Sequence, residues 1–179
     1  MSNPEFSEVK RDPATVSATG QLLTQLPDGV RFRSAVTHFD DRGSVCELFD
    51  ERWSWHDEPL VFSYMFTLRP NKVKGWGKHM LHEDRYFVMF GEMEVVMYDT
   101  REDSPTKGLL ARVHLSEWER RLMCIPIGVW HANFNPGTKD AVIVNFPTQP
   151  YDHGNPDKFR LPLDTDQIPY QFPPGVNGW

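Results

Sequence analysis

Punctuation constrains this chain more than any other feature. Fifteen prolines and twelve glycines are spread along 179 residues, which shortens every candidate helix. Proline removes a backbone donor and glycine raises the entropic cost of a helix interior. Between these breaks lie short apolar runs of strand length: Gly43 to Phe49, Leu60 to Leu68, Arg85 to Phe90, Glu92 to Tyr98, Gly108 to Leu115, Arg121 to Ile125 and Ala141 to Phe146. Many short strands at regular spacing predict an all-β sandwich or barrel. Arg85–Phe90 and Glu92–Tyr98 read as two strands joined through a turn at Gly91-Glu92. After Phe146 come Pro147, Pro150, Pro156, Pro162, Pro169, Pro173 and Pro174. Such a tail can wrap a barrel in extended form, but it cannot form a central strand.

The length suits one domain. Residues 26–179 form it, and residues 1–25, polar and without an apolar period, are expected to be a mobile or strand-exchanged arm. A formal charge of -6 argues against a nucleic-acid or anionic-membrane partner. No apolar stretch approaches the roughly 20 residues of a membrane span, and the N-terminus lacks a signal-peptide core, so the cytoplasm is the expected compartment. Cys46 and Cys124 each sit in an apolar run and read as buried, reduced thiols.

Chemistry concentrates in two histidine segments. Pro126-Ile127-Gly128-Val129-Trp130-His131 places a tight turn before a strand that carries a histidine. The pattern resembles the second conserved motif of the cupin superfamily, and the resemblance implies a double-sheet jelly-roll barrel with His131 at its mouth. The partner motif falls on Gly77-Lys78-His79-Met80-Leu81-His82-Glu83-Asp84. There His79 takes the second histidine position, Asp84 the acidic one, and Gly77 stands where the first ligand would be. A divalent transition metal on His79, His82, Asp84 and His131 is chemically sensible, although the glycine counts against it.

A second resemblance covers residues 39–172 in collinear order. Phe39-Asp40-Asp41-Arg42-Gly43 with Glu47 and Phe49, then Gly77-Lys78-His79, then Gly91 through Arg101 with Ser104-Pro105-Thr106-Lys107-Gly108, are similar to motifs of the dTDP-4-dehydrorhamnose 3,5-epimerase family. Ile125 to His131 is similar to that family's I-P-x-G-x-x-H-G-F. The resemblance implies epimerisation of a nucleotide-linked 4-keto-6-deoxyhexose by a homodimer without a cofactor.

It also implies roles. A histidine, here His79, takes the proton alpha to the keto group, and its ordinary pKa near 6.5 suits that work. The family's lysine position holds Asp84, which leaves Arg85 as the neighbouring cation. The family's tyrosine position falls near Asn145, and Tyr151 matches a second tyrosine. The arginine before the family's G-x-H is Trp76, with Lys74 and Lys78 close by. The aspartate that assists the base is expected beyond residue 179. Arg42 and Glu47 would contact substrate across a dimer; alternatively Arg42 pairs with Asp40 or Asp99. Asp99 and Arg101 read as structural, and Trp76 and Trp130 are expected near a ligand ring. The expected site is therefore His79, Tyr151 and Arg85 for catalysis, with Arg42, Glu47, Lys74, Trp76, Lys78, His131 and Asn145 binding substrate. Three rival readings remain: a metal-dependent cupin enzyme, a non-catalytic sugar-nucleotide binder or scaffold, and a single-centre epimerase or keto-isomerase acting on a different nucleotide sugar.

Overall fold

A computed structural model describes residues 10–20 and 23–178. The chain is all-β. Among the described residues thirteen strands run in the order β1 (Arg31–Ser34), β2 (Thr37–Asp40), β3 (Gly43–Cys46), β4 (Tyr64–Leu68), β5 (Lys72–Lys78), β6 (Asp84–Phe90), β7 (Glu92–Asp99), β8 (Leu110–Ser116), β9 (Arg121–Ile125), β10 (Val129–Phe134), β11 (Ala141–Asn145), β12 (Phe159–Arg160) and β13 (Asn177–Gly178). Among the described residues no helix is long and apolar enough to cross a membrane.

Two sheets form the barrel. The first has the order β1-β9-β6-β11-β4; the second has the order β12-β5-β10-β7-β8, with β13 added beside β5. Their inner faces enclose one core of Val88, Met93, Val95, Met97, Leu115, Met123, Ile125 and Ile143. The outer faces are covered as well. Segment 46–55 lays Leu48, Phe49, Trp53 and Trp55 over Phe87, Leu122 and Phe146 of the first sheet. The proline-rich tail lays Leu161, Ile168, Tyr170 and Phe172 over Val73, Trp76, Val96 and Phe134 of the second. Burial on both faces explains why β6 and β7 read as nearly continuous apolar runs rather than alternating ones.

Several sequence expectations need correction. β6 and β7 are joined through a turn at Gly91 as expected, but they do not pair, since β6 belongs to the first sheet and β7 to the second. Gly91 turns the corner at φ 77°, where a Cβ would lie 3.0 Å from the Ala141 Cα. The strand predicted from Leu60 begins at Tyr64, and the one predicted to Phe49 ends at Cys46. The wrap contributes two short edge strands, β12 and β13. The expected arm falls partly outside the described residues; residues 10–20 are mostly exposed. Cys124 is buried as expected, whereas Cys46 is half-buried, and both are free thiols.

The Asp99 motif is structural, as the sequence suggested. Asp99 is fully buried and accepts from Arg101, Ser104 Oγ and Thr106 Oγ1. Burial alone would raise its pKa, but these donors, Arg101 foremost, hold it well below the ordinary carboxylate range.

Candidate active site

The two histidine segments meet at the open end of the barrel. β10 lies between β5 and β7, and His131 is registered against Gly77. The Gly128 amide donates to the His79 carbonyl at 2.8 Å, which ties the turn before β10 to the end of β5. A Cβ at Gly77 would lie 4.0 Å from His131 Nε2, so the glycine leaves the front of that ring open.

A buried carboxylate organises the floor. Asp84 opens β6 at 2% exposure. Its Oδ2 lies 3.3 Å from both His79 Nε2 and His131 Nε2 and accepts from the Tyr86 hydroxyl at 2.8 Å. Its Oδ1 accepts from Asn145 Nδ2 at 2.6 Å and faces His82 Nε2 at 3.8 Å. Burial pushes the Asp84 pKa up, yet the hydrogen bonds of His131 and His79 prevail and hold it well below its ordinary value. For His79 burial works downward; the bond and charge of Asp84 outweigh it and raise the pKa. His82 is lowered by burial and by the neighbouring His79 charge.

The tail completes the site. His79 Nδ1 donates to the Asp157 carbonyl at 2.5 Å, and the Asp157 carboxylate accepts from the Met80 and Leu81 amides and lies 2.9 Å from His82 Nδ1. Asp157 thus meets His79 through its backbone carbonyl and His82 through its carboxylate. Lys158 follows it at the mouth, with a pKa lowered by desolvation and by the Arg160 charge.

His79, Asp84, Tyr86 and His131 line a cleft of about 490 Å³, with Tyr64, Lys74 and Asn133 on its walls and Arg69, Lys72, Lys158 and Arg160 contributing positive charge. Lys74 reaches it through a bulge: Gly75 and Trp76 on β5 oppose the single residue Ala132 on β10 between the pairs His131–Gly77 and Asn133–Lys74. A Cβ at Gly75 would fall 2.7 Å from the Ala132 Cα, so the bulge requires glycine. It also turns Trp76 outward, where that ring is fully buried against Tyr170 and Phe172. Trp76 is therefore a core residue, not a ligand contact. Lys78 sits over the Trp130 and Phe159 rings, so neither Lys78 nor Trp130 lines the cleft.

Arg85 is the other displaced candidate. Alternation along β6 turns it from Asp84 to the opposite face. There its guanidinium donates to the carbonyls of Phe146 (2.6 Å), Glu58 (2.7 Å), Pro59 (2.9 Å) and Pro147 (3.3 Å) and stacks over Phe49. Arg42 occupies the exposed tip of the β2–β3 hairpin, paired with Asp40 at 2.5 Å, and Glu47 is exposed nearby; neither lines the cleft of its own chain. Asn145 is at the floor beneath Asp84. Tyr151 lines an adjoining smaller cleft that it shares with Tyr64, His79, His82 and Lys158.

Sequence reasoning missed Tyr64, Tyr86, Asn133 and Lys158. Tyr64 is registered against Asn145, whose Nδ2 donates to its hydroxyl at 3.0 Å. Burial foremost, then the Asp84 charge, pushes the Tyr64 phenol up to about 12. The one available signal was Tyr64's place in the aromatic run before β5.

The donor set fits a divalent transition ion. His79, His82 and Asp84 offer ligand atoms within 4.8 Å of one another. Each Nδ1 of His79, His82 and His131 faces an acceptor (the Asp157 carbonyl, the Asp157 carboxylate and the Val129 carbonyl), which turns the three Nε2 atoms toward Asp84. His56, Glu83 and Cys124 cluster elsewhere but fit poorly. His56 Nδ1 accepts from the Glu58 amide, so Nε2 carries the proton given to Glu83, and burial pushes the Cys124 thiol up to about 12.

A double-sheet barrel with a buried His-Asp pair in a basic cleft defines a cupin-type enzyme. Comparison narrows this. The chain is 33% identical over 136 residues to the Probable low-salt glycan biosynthesis epimerase Agl13 of Haloferax volcanii, covering 75% of this chain and 87% of that one. A dTDP sugar isomerase from Desulfovibrio desulfuricans is 29% identical, with a TM-score of 0.75 over 82% of this chain and 94% of that one. The dTDP-6-deoxy-D-glucose-3,5-epimerase RmlC of Legionella pneumophila, in complex with dTDP-4-keto-L-rhamnose, superposes with a TM-score of 0.74 at 21% identity, over 87% and 86% of the two chains. No protein-family model matches. The chain belongs to the dTDP-4-dehydrorhamnose 3,5-epimerase family, and it is an epimerase-like enzyme.

Proposed function

We propose that this enzyme epimerises a nucleotide-linked 4-keto-6-deoxyhexose, with His79 as the base that removes a proton alpha to the ketone. The observation that carries the reading is His79 itself. Its Nδ1 is fixed on the Asp157 carbonyl, so the neutral ring presents its Nε2 lone pair to the cleft beside Asp84. Breaking the C–H bond sends the proton to Nε2 and the electron pair to the keto oxygen as an enolate. The cation this requires comes from Lys158 at the mouth rather than from Arg85. Tyr64, kept protonated by its raised pKa, supplies the proton that completes inversion, and Tyr151 stands beyond it in the adjoining cleft. Arg69, Lys72, Lys74 and Arg160 suit a diphosphate. The dTDP-sugar chemistry in the names of the two solved relatives supports dTDP as the carrier.

Solvent deuterium entering a dTDP-4-keto-6-deoxyhexose tests this, with His79→Asn as control. Exchange should occur in the wild type and fall at least roughly 10²-fold in the variant. A wild type that binds the sugar nucleotide without exchange would instead be a binder.

The three anchored imidazoles favour a second reading, a metal-dependent cupin enzyme. Bound through His79, His82, His131 and Asp84, an ion would supply Lewis acidity at the keto oxygen. Elemental analysis of the purified protein separates the two.

A further inference from the structure

The cleft floor carries a polar atom that the chain leaves without a partner. Asn133, two residues after His131 on β10, is 5% exposed and lines the cleft. Its Nδ2 donates to the Tyr86 hydroxyl at 3.2 Å, while Tyr86 gives its own single proton to Asp84 Oδ2 at 2.8 Å. That sequence of donors fixes the amide: a flipped Asn133 would set its oxygen against a hydroxyl whose proton is already engaged. Among the described residues nothing donates to the buried Asn133 Oδ1. Buried acceptors are almost always satisfied, and leaving one unmet is costly. Asn133 lines the cleft, so a hydroxyl of what the site binds can supply the missing donor.

We infer that Asn133 is a specificity residue whose Oδ1 accepts a hydrogen bond from one hydroxyl of the bound sugar. The inference rests on the sugar-nucleotide reading and refines its substrate class. The family pattern I-P-x-G-x-x-H-G-F puts an aromatic ring where Asn133 stands. This chain therefore selects a sugar with a hydroxyl at the point where that pattern offers an apolar face. A pocket built to hydrogen-bond a hydroxyl strongly rejects the analogue that lacks it, because its own polar group is then stranded.

The test is titration calorimetry of dTDP-glucose and its 2-, 3-, 4- and 6-deoxy analogues against wild type, Asn133→Leu and Asn133→Asp. The 2-deoxy or the 3-deoxy analogue should bind wild type at least roughly 30-fold more weakly than dTDP-glucose, because a 4-keto-6-deoxyhexose carries hydroxyls only at those two positions. Asn133→Leu, of similar shape but without the acceptor, should shrink that gap to about 3-fold or less, whereas Asn133→Asp should keep it. A purely structural role for Asn133 would weaken all five ligands together. Equal binding of all five ligands by the wild type overturns the inference, even if Asn133→Leu does not fold, and leaves the epimerase reading standing. So does a gap that survives in Asn133→Leu, or one at the 4- or 6-deoxy analogue instead. Failure of every ligand to bind overturns both. Selective binding without deuterium exchange leaves the Asn133 inference intact and removes only the catalytic reading.

Discussion

Tyr64 and Asn145 face each other across β4 and β11, joined by a hydrogen bond of 3.0 Å from the asparagine amide to the phenol. The resemblance places the family's tyrosine near Asn145, and Tyr64 holds a phenol beside that residue on the neighbouring strand. Tyr64→Phe should suppress net inversion while deuterium exchange persists, because abstraction needs only the base. Tyr151→Phe should leave inversion within about 3-fold, far less than the roughly 10²-fold or greater loss of a proton donor. The reverse ranking in a combined exchange and product assay would assign the acid to Tyr151.

The pH profile follows from Asp84 and His79. Because the pKa of His79 is raised, a free base requires pH above the ordinary imidazole value of about 6.5. The exchange rate should therefore climb with pH through a limb above that value. In Asp84→Asn the bond and charge that raise it are gone and burial remains, so the limb should move downward. Stability runs the other way. The depressed Asp84 pKa stabilises the fold above about pH 4 and loses its effect as pH falls through the folded value; the raised His79 pKa stabilises it below about 6.5 and loses its effect as pH rises through the folded value. The pair contributes most between those limits, below the pH at which the base works. An exchange limb unmoved in Asp84→Asn would break this coupling.

Much of the fold is legible in the sequence, because proline and glycine mark the strand ends and Pro126, Gly128 and His131 mark the mouth. The site is legible only in part. His131 lies on β10, Asn145 on β11 and His79 just past β5, and motif spacing or the family resemblance marks all three. Lys158 and Asp157 arrive from a tail whose composition says only that it is extended, and no local pattern reveals which residue it lays over the mouth. Trp76 was misread, since the bulge at Gly75 turns it to the outer face while Lys74 stays on the cleft wall.

Lys158 should be required for the enolate. Lys158→Met is expected to lower the exchange rate by roughly 10²- to 10³-fold, with Lys158→Arg retaining more because it keeps the charge. Equal exchange by wild type and Lys158→Met would return the role to another cation of the cleft.

Metal content separates the two mechanistic readings. Purified without supplementation, the protein should hold well under one transition-metal ion per chain, and exchange should survive chelation. A tightly held stoichiometric ion whose removal abolishes exchange would make His79 a ligand rather than the base.

Arg85 supplies the last prediction, which is one of stability. Its guanidinium satisfies carbonyls at Glu58, Pro59, Phe146 and Pro147 on the outer face, pinning the segment before β4 to the end of β11. Arg85→Met keeps much of the apolar stem but leaves those carbonyls without their donor. An unmet buried acceptor costs about 1–3 kcal/mol, and water can reach part of this set, so a loss of about 3 kcal/mol is expected. For a chain of this size that corresponds to a fall in Tm of ~10 °C. Deuterium exchange per folded molecule should stay within about 3-fold of wild type, because alternation along β6 turns Arg85 away from Asp84. A stable Arg85→Met protein with exchange abolished would return Arg85 to the catalytic site.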